Sequence, residues 1–287
     1  MLETGRGFRR PMRPNRRMLL AAAAVVGGAG VTLALGLWAW QDRLIYPAPH
    51  YTPNELEGLP AGLVALRDPA DPASVLGFYR PPIAGGEPRR LWLAFGGNGD
   101  LALRWDGILA PAATDGTGFL LVEYPGYGAR AGKPSPEALL SGSEATLAAL
   151  ARHLGVGVAE LEARSSVLGY SIGSAVALKY ASLHPVQRIV LVSPFTTMLD
   201  MARRSVGPFC HLLRHHYDNV ESLARIRARG LPPLTILHGE RDGLIPPAMG
   251  RALAASAPGS HFELVPNADH GDVTDLARLR LRALVAP

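Results

Sequence analysis

The chain has 287 residues, of which 48% are apolar and 18% are charged. This balance is typical of a globular protein with a substantial core and argues against a disordered chain. The net charge of +5 comes from residues 1–40, which hold six arginines and one acidic residue. The rest of the chain is neutral, so it has no general attraction to nucleic acid. A single cysteine, Cys210, excludes an intramolecular disulfide, and we expect it to be a small buried residue.

Residues 18–40 form an uncharged apolar run of 23 residues, which follows a basic arm at 1–17. As an α-helix this run would be about 35 Å long, enough to cross a hydrocarbon core of about 30 Å. Trp38 and Trp40 stand at its end, where aromatic side chains favour the membrane interface. We therefore predict a single transmembrane helix or signal-anchor. The preceding arginines place the N-terminus in the cytoplasm and the remaining chain on the far, extracytoplasmic side.

Export with cleavage is the alternative that this segment leaves open. Ala34-Leu35-Gly36 fits a small-x-small cleavage site, although the apolar run is long for a cleaved signal peptide. Arg16-Arg17 followed by Met-Leu-Leu also resembles a twin-arginine export signal. Cleavage would yield an exported soluble protein, so both interpretations move the body out of the cytoplasm.

From residue 63 onward, short apolar runs alternate with helical patterns, and Gly and Pro separate them. Several of the runs are continuously apolar, as burial on both faces of a parallel sheet requires. The alternation predicts an α/β fold with a mostly parallel central sheet and helices on both faces. The first two strands have no helix between them and predict an antiparallel hairpin at the sheet edge. The predicted strands are 62–67, 75–80, 91–95, 118–123, 166–170, 188–192, 234–238 and 261–265, and the predicted helices are 101–113, 136–153, 172–183, 247–256 and 272–284.

Residues 194–233 interrupt the alternation with about forty residues of mixed helix and loop. A long insertion of this kind is a candidate for a small helical cap over a binding site. We find no internal repeat and no second domain. The sequence therefore predicts one α/β domain over 41–287, which carries a cap insertion at about 194–233.

One predicted strand runs directly into Gly169-Tyr170-Ser171-Ile172-Gly173, and a helical pattern follows. This is a G-x-S-x-G pattern at a strand-to-helix turn, where the strained serine needs glycine two residues to either side. The following helix directs its N-terminus at the reacting centre, and the Ile172 N–H can donate to an oxyanion. The bare pattern also fits a Gly-rich turn with a capping serine. Its position between an apolar strand and a helix favours Ser171 as a nucleophile.

A serine hydroxyl is a poor nucleophile without a base and a carboxylate that orients the base. On turns of this kind the chain order is serine, acid, histidine. Two later strands end in polar turns, one with Glu240 and Asp242 and the next with His270. Ligand sites gather at the carboxyl ends of parallel strands. We therefore take Asp242 as the acid and His270 as the base, with Glu240 as the alternative acid.

The other histidines have more ordinary interpretations. We expect His238, at the end of a strand, to be buried and structural. His184 ends a helix before a proline, where a cation is common. His211, His215 and His216 lie in the expected cap, where we expect them on a solvent-exposed face of a helix. Together with Cys210 they do not have the spacing of a metal site.

A second oxyanion donor is expected from the loop after the third strand, which reads Gly96-Gly97-Asn98-Gly99-Asp100. Glycines let the backbone approach a ligand closely and present its N–H groups. Gly97 is the first candidate and Asn98 the second. The other interpretation is a plain Gly-rich turn. A phosphate-binding loop is disfavoured because no G-K-[ST] follows.

Six segments in this order resemble the membrane-anchored ABHD-type serine hydrolases of the α/β-hydrolase superfamily. They are LWLAFGGNGD, VEYPGYGARAGKPSPE, VLGYSIGSAVALKYA, LVSPFTTMLDMA, ILHGERDGLIP and NADHGD. The resemblance extends from about residue 60 to the end, and an anchor ending in DRLIYPAP also fits it. It implies Ser171 as nucleophile, Asp242 and His270 as its partners, and Gly97 with Ile172 as oxyanion donors.

One departure concerns the oxyanion loop. Family members commonly begin it with His-Gly, whereas this chain has Phe95-Gly96. A backbone donor does not need the imidazole, so we expect activity to survive. The hydrogen bonds that hold the loop must then differ.

The resemblance implies hydrolysis of carboxylic esters or related acyl bonds, thioesters included, without a metal or organic cofactor. The anchor and the apolar cap residues suggest a lipid-like acyl substrate, although packing of the cap on the domain explains the same residues. Acyl transfer to an alcohol or peptide cleavage by the same triad are alternatives, as is a non-catalytic membrane-anchored binding domain. The cap residues concerned are Met198, Leu199, Met201, Phe209, Leu212 and Leu213.

Overall fold

The computed structural model describes residues 15–114 and 116–286, so most of the predicted basic arm, residues 1–14, lies outside the described residues. The first element is helix α1 (Arg16–Ile45), whose N-cap Asn15 accepts a hydrogen bond from the Arg17 N–H. An 18-residue window of this helix has a mean hydropathy of 2.1 and none of it is buried. By length and composition α1 can cross a membrane, and a signal sequence would meet the same test. The helix is longer than the predicted 18–40, since it begins at Arg16 and ends at Ile45.

The remaining described residues form an eight-stranded sheet, further helices and two 3-10 turns at 110–112 and 207–212. The strands are β1 (Val64–Arg67), β2 (Val75–Arg80), β3 (Arg90–Phe95), β4 (Thr117–Val122), β5 (Ser165–Tyr170), β6 (Ile189–Val192), β7 (Leu234–Gly239) and β8 (His261–Val265). The helices are α2 (Pro53–Glu57), α3 (Ala102–Leu109), α4 (Pro136–Leu154), α5 (Val158–Ala163), α6 (Ile172–Ala181), α7 (Met198–Val206), α8 (Asn219–Ala228), α9 (Pro247–Ser256), α10 (Val273–Leu276) and α11 (Arg278–Val285).

The strand order in the sheet is β1-β2-β4-β3-β5-β6-β7-β8. From β4 to β8 all neighbouring strands are parallel, whereas β2 is antiparallel to both β1 and β4. This confirms the predicted mostly parallel sheet and the antiparallel hairpin at its edge.

Helices cover both faces of the sheet, as the continuous apolar strands require. In β3, Leu91 and Leu93 belong to a core shared with α4, α6 and α9, while Trp92 and Ala94 belong to a core shared with α3 and α11. Successive side chains of a strand point to opposite faces. The alternation in β3 therefore divides the apolar interior into two layers, one on each side of the sheet.

The topology brings four loops together at one end of the sheet. The chain order reverses at β3, which lies between β4 and β5, so the loops after β3 and β5 lie side by side. Ligand sites of open α/β sheets form at such reversals, outside the carboxyl ends of the strands. The loops after β7 and β8 end at the same edge because these strands are parallel to β5.

Within the expected cap at 194–233, residues 198–217 extend away from the sheet. We call these residues the cap segment. Thr197 pairs with Asp218 at its base, so the chain leaves and returns at one place. The segment contains α7 and the 3-10 turn at 207–212, and this turn contacts α1. Helix α8 packs against α6 and α9 and so belongs to the helical layer beside the sheet.

Candidate active site

Ser171 lies at the sharp turn between β5 and α6 with φ 54° and ψ −121°. A non-glycine residue in this region carries strain of about 1–3 kcal/mol, which the surrounding structure must hold in place. A Cβ atom at Gly169 would lie 2.3 Å from the Gly173 carbonyl oxygen, and one at Gly173 would lie 2.1 Å from the Phe95 carbonyl oxygen. Both flanking glycines are therefore required by backbone contacts. The Ser171 N–H donates to the Val192 carbonyl at 2.9 Å, which fixes the turn to β6.

The structure brings Ser171, His270 and Asp242 into one chain of hydrogen bonds. The distance from His270 Nε2 to Ser171 Oγ is 3.0 Å, and from His270 Nδ1 to Asp242 Oδ2 it is 2.8 Å. The other oxygen of Asp242 accepts from the N–H groups of Leu244 at 3.1 Å and Ile245 at 2.8 Å. The imidazole therefore lies between a hydroxyl and a carboxylate whose orientation is fixed by the backbone.

Asp242 is almost completely buried, at 4% exposure. Burial by itself raises the pKa of its carboxyl, but hydrogen bonds from His270 and the Ile245 N–H outweigh that effect and leave the pKa below its usual value. The carboxylate is therefore ionised at neutral pH and can stabilise a positive charge on the imidazole. Glu240, the alternative acid, is exposed and accepts from the Asn267 N–H at 3.0 Å. The geometry thus places Asp242 beside His270.

Of the other histidines that the sequence pointed out, His238 lies near the site, with its Nε2 3.6 Å from Asp242 Oδ2, and the cap histidines lie apart from it. His238 is fully buried, as expected, and its Nε2 faces the Ile245 carbonyl at 2.8 Å. Burial lowers the pKa of His238, so it adds no positive charge beside Asp242. His215 is also buried and bonds to Asp42 of α1, which differs from the expected solvated face. His211 and His216 are exposed.

Tyr170, between the first glycine and the serine of the pentapeptide, was not singled out from the sequence. Its ring stacks on the His270 imidazole, and its hydroxyl donates to the His270 carbonyl. A Cβ atom at Gly97 would lie 2.9 Å from Cε1 of the same ring. Tyr170 therefore contacts both the histidine loop and the oxyanion loop. An aromatic residue at a variable position of the pattern was the only sequence feature that pointed to it.

The oxyanion loop differs from the expectation in one respect. The Gly97 N–H donates to Asp100 Oδ2 at 2.9 Å, so in this geometry it is not free to donate to an oxyanion. The loop folds back on itself because the Asp100 N–H also donates to the Gly97 carbonyl, at 3.2 Å. Asn98 and Ile172 both line the space beside Ser171. Ile172 is the first residue of α6, where an N–H has no acceptor within the helix.

Tyrosine hydroxyls hold this loop, which begins with Phe95-Gly96 in place of the His-Gly expected from the resemblance. Tyr124 donates to the Gly96 carbonyl at 2.8 Å, and Tyr127 donates to the Asn98 carbonyl at 2.9 Å. Phe95 itself is buried in the core. The changed hydrogen bonding that Phe95-Gly96 predicts is therefore supplied by the segment after β4.

Comparisons with known proteins bear on the fold and on the family. No family model matches the chain. The chain is 30% identical over 259 residues to the uncharacterized protein MT2364 of Mycobacterium tuberculosis, which covers 88% of each chain. It is 29% identical over 266 residues to the uncharacterized protein Rv2307c of the same species, which covers 91% of each. The α/β-hydrolase domain-containing protein WAV2 of Arabidopsis thaliana is 26% identical over 173 residues, 53% of this chain and 54% of WAV2.

Solved structures share the fold. The Pyrococcus furiosus esterase PF2001 has a TM-score of 0.58 at 17% identity and covers 82% of this chain and 91% of its own. An α/β hydrolase of Vibrio vulnificus has a TM-score of 0.56 at 18% identity and covers 73% and 77%. The chain therefore has the α/β-hydrolase fold. It also belongs to the same family as the mycobacterial protein MT2364.

The protein has a cavity of about 260 Å³ beside Ser171. Most of its walls are apolar. One wall is formed by the end of α1, a second by the cap segment, and the floor by residues around the nucleophile turn. The α1 wall contains Leu37, Gln41, Leu44 and Ile45. The cap wall contains Met198, Met201, Ala202, Phe209, Leu212 and Leu213. The floor contains Asn98, Ser171, Ile172 and Phe195.

Proposed function

We propose that this protein is a serine hydrolase that cleaves carboxylic esters through an acyl-enzyme. The observation that carries the proposal is the bonded chain Ser171–His270–Asp242, with distances of 3.0 and 2.8 Å, at a strained strand-to-helix turn. A buried carboxylate, an imidazole and a serine in this order are the parts that activate a hydroxyl for attack on an acyl carbon.

In the first half-reaction Ser171 Oγ bonds to the ester carbonyl carbon while its proton passes to His270 Nε2. The tetrahedral intermediate then collapses, the bond to the alcohol oxygen breaks, and His270 returns the proton to the leaving alcohol. In the second half-reaction His270 takes a proton from water, whose oxygen bonds to the acyl carbon. The bond from that carbon to Ser171 Oγ then breaks, His270 returns the proton to Oγ, and the carboxylic acid leaves. Asp242 holds the imidazole in the required tautomer and stabilises its charged form.

The negative oxygen of each intermediate is stabilised by backbone N–H groups. Ile172 is one donor because it begins α6 and lies beside Ser171. The resemblance implies Gly97 as the other, but Asp100 holds that N–H. We therefore assign the second position to Asn98, which lines the same space. Removal of one such donor typically lowers the rate about 10²–10³-fold.

The membrane-anchored ABHD-type arrangement is part of the proposal. Helix α1 is long and apolar enough to span a bilayer, and it leads into the hydrolase domain at residue 46 without a linker. The arginines that precede it place the N-terminus in the cytoplasm, and the hydrolase domain then lies on the extracytoplasmic side. Accessibility of an engineered surface cysteine in the domain to a membrane-impermeant maleimide in intact cells tests this orientation.

The test of the activity is labelling with a fluorophosphonate, which reacts with activated serines. Detergent-solubilised native protein, Ser171→Ala and His270→Ala are compared, and the adduct is mapped by mass spectrometry. We expect an adduct on Ser171 in the native protein and none in either variant, with all three proteins giving the same circular dichroism spectrum. Folded native protein that remains unlabelled would remove the serine hydrolase proposal.

A further inference from the structure

The end of the membrane helix is bound tightly to the cap segment. Gln41, 7% exposed, donates from Nε2 to the Leu212 carbonyl at 3.1 Å, and its Oε1 accepts from the Arg214 N–H at 2.7 Å. Asp42 accepts from the Arg214 guanidinium at 2.8 Å and also bonds to His215. These contacts fix the rotation of α1 about its own axis relative to the cap segment.

Two further contacts tie α1 to the rest of the domain. The hydroxyls of Tyr46, which follows α1, and Tyr217, at the end of the cap segment, are 2.9 Å apart, and both residues are buried. Asn98 in the oxyanion loop donates from Nδ2 to the Ile45 carbonyl at 3.2 Å. The last turn of the helix is therefore connected directly to the loop beside the nucleophile.

This docking turns one face of the helix toward the nucleophile. Leu37, Gln41, Leu44 and Ile45 line the cavity, and their spacing of four, three and one residues places them on a single face. A second wall consists of apolar side chains from the cap segment, among them Met198, Met201 and Phe209. Trp38 and Trp40, on other faces of the helix, remain exposed.

We propose that the last two turns of the membrane helix form one wall of the acyl-binding cavity, which holds the single extended acyl chain of a lipid ester whose polar head stays in water. The proposal rests on the serine hydrolase function given above. The apolar run of α1 ends at residue 40, so the cavity begins where the helix leaves the hydrocarbon layer. An acyl chain that moves from the bilayer along α1 reaches Ser171 while its methylene groups stay in apolar surroundings, which avoids the free-energy cost of exposing them to water.

The test alters the α1 wall and measures the preference for acyl-chain length. Leu37→Trp and Leu44→Trp add bulk to the cavity, and Leu37→Ala enlarges it. Leu35→Trp is the matched control, since Leu35 is exposed on the same helix and does not line the cavity. The substrates are p-nitrophenyl decanoate and p-nitrophenyl acetate, and the readout is the ratio of their kcat/KM values with the full-length protein in detergent micelles.

We expect the tryptophan variants of the wall to lower the decanoate-to-acetate ratio by about tenfold, since small changes of volume in an apolar pocket change discrimination by factors of 10–200. Leu37→Ala should raise the ratio, and Leu35→Trp should keep the native value. A ratio that stays constant in all wall variants, while native Ser171 is labelled by the fluorophosphonate, would overturn this inference alone. Lack of labelling in the folded native protein would instead overturn the proposed function and this inference with it.

A second measurement follows the route of the acyl chain. Ser171→Ala protein is reconstituted in phosphatidylcholine vesicles with a fatty acid ester that carries a photoactivatable diazirine at the end of its chain. We expect crosslinks at residues 37–45 and in the cap segment. Crosslinks confined to residues 18–36, with none in the cavity walls, would overturn the inference.

Discussion

The ring of Tyr170 stacks on the imidazole of His270, with centroids 5.2 Å apart and an angle of 29° between the planes. The Tyr170 hydroxyl also donates to the His270 backbone carbonyl. The histidine is thus held from its side chain and from its backbone by the residue that immediately precedes Ser171. Because the productive geometry of a proton shuttle tolerates little displacement, this contact should affect the rate more than substrate binding.

Tyr170→Phe removes the hydroxyl and keeps the ring. One neutral hydrogen bond contributes about 1 kcal/mol, so we expect kcat to fall roughly three- to tenfold with little change in KM. The measurement is steady-state hydrolysis of p-nitrophenyl acetate. Tyr180→Phe is the matched control, because the Tyr180 hydroxyl is buried and has no hydrogen-bond partner among the described residues. Equal kcat values for Tyr170→Phe and the control would remove the positioning role.

Asp100 links the oxyanion loop to the histidine loop. Its Oδ2 accepts from the Gly97 N–H, its Oδ1 accepts from Arg104 at 3.1 Å, and Arg104 also donates to Thr274 Oγ1 at 2.7 Å. Thr274 lies in α10, just after His270. We expect Asp100→Ala to lower kcat about tenfold because the Asn98 N–H is no longer held in place. Asp100→Asn retains an acceptor for Gly97 and should be less impaired.

The same experiment distinguishes the two candidate oxyanion donors. If Asp100 only blocks a functional Gly97 N–H, its replacement by alanine would increase kcat. An increase would therefore return the second donor position to Gly97 and contradict our assignment of Asn98.

Asp242→Asn leaves an isosteric side chain that cannot hold the imidazole in the required tautomer. We expect kcat to fall about 10⁴-fold while the fold is retained. Glu240→Gln is the matched control, because Glu240 bonds to Asn267 and not to His270. Comparable losses in the two variants would contradict the role of Asp242, and a loss confined to Glu240→Gln would make Glu240 the acid.

Glu123 predicts a pH dependence of stability. Burial raises the pKa of its carboxyl to about 7, although hydrogen bonds from the Tyr51 hydroxyl and the Ala102 N–H act in the opposite direction. Between about pH 4.5 and pH 7 the folded protein thus keeps a proton that the unfolded chain has released, so this group makes the free energy of unfolding fall as pH rises. The difference between 4.5 and about 7 corresponds to roughly 3 kcal/mol.

Glu123→Gln removes this titration. The measurement is urea unfolding of the solubilised protein at pH 5 and pH 8. Between these two pH values we expect the free energy of unfolding to fall by roughly 3 kcal/mol more in the native protein than in the variant. Glu57→Gln, at an exposed position of α2, serves as the control and should follow the native protein. The same pH dependence in all three proteins would show that Glu123 does not titrate in this range.

The eight strands and the nucleophile turn could be predicted because their determinants are local. Apolar runs such as LWLAF are buried on both faces of the sheet. The glycines around Ser171 are required because a Cβ atom at either position would lie within 2.3 Å of a backbone oxygen, as in any strand-to-helix turn of this sharpness. The order of serine, acid and histidine along parallel strands then placed their side chains at one edge of the sheet. The apolar α1 followed from the uncharged run at 18–40 for the same reason.

Other features depend on which distant residues meet. Asp242 rather than Glu240 lies beside His270, the Gly97 N–H is taken by Asp100, and Tyr170 stacks on the imidazole. Each of these depends on how a loop after a strand packs against its neighbours, and loop conformation is determined by packing and not by hydropathy or periodicity.

The sequence by itself determined that this protein has an apolar N-terminal helix, an α/β sheet and a serine on a sharp turn, because burial patterns and backbone sterics act over a few residues. Only the tertiary structure decided that the end of α1 lines the cavity beside Ser171. Gln41 meets Leu212 across 171 positions of the chain. Such a pairing depends on the complete arrangement of the sheet and the cap segment, since neither residue carries a local pattern that specifies the other.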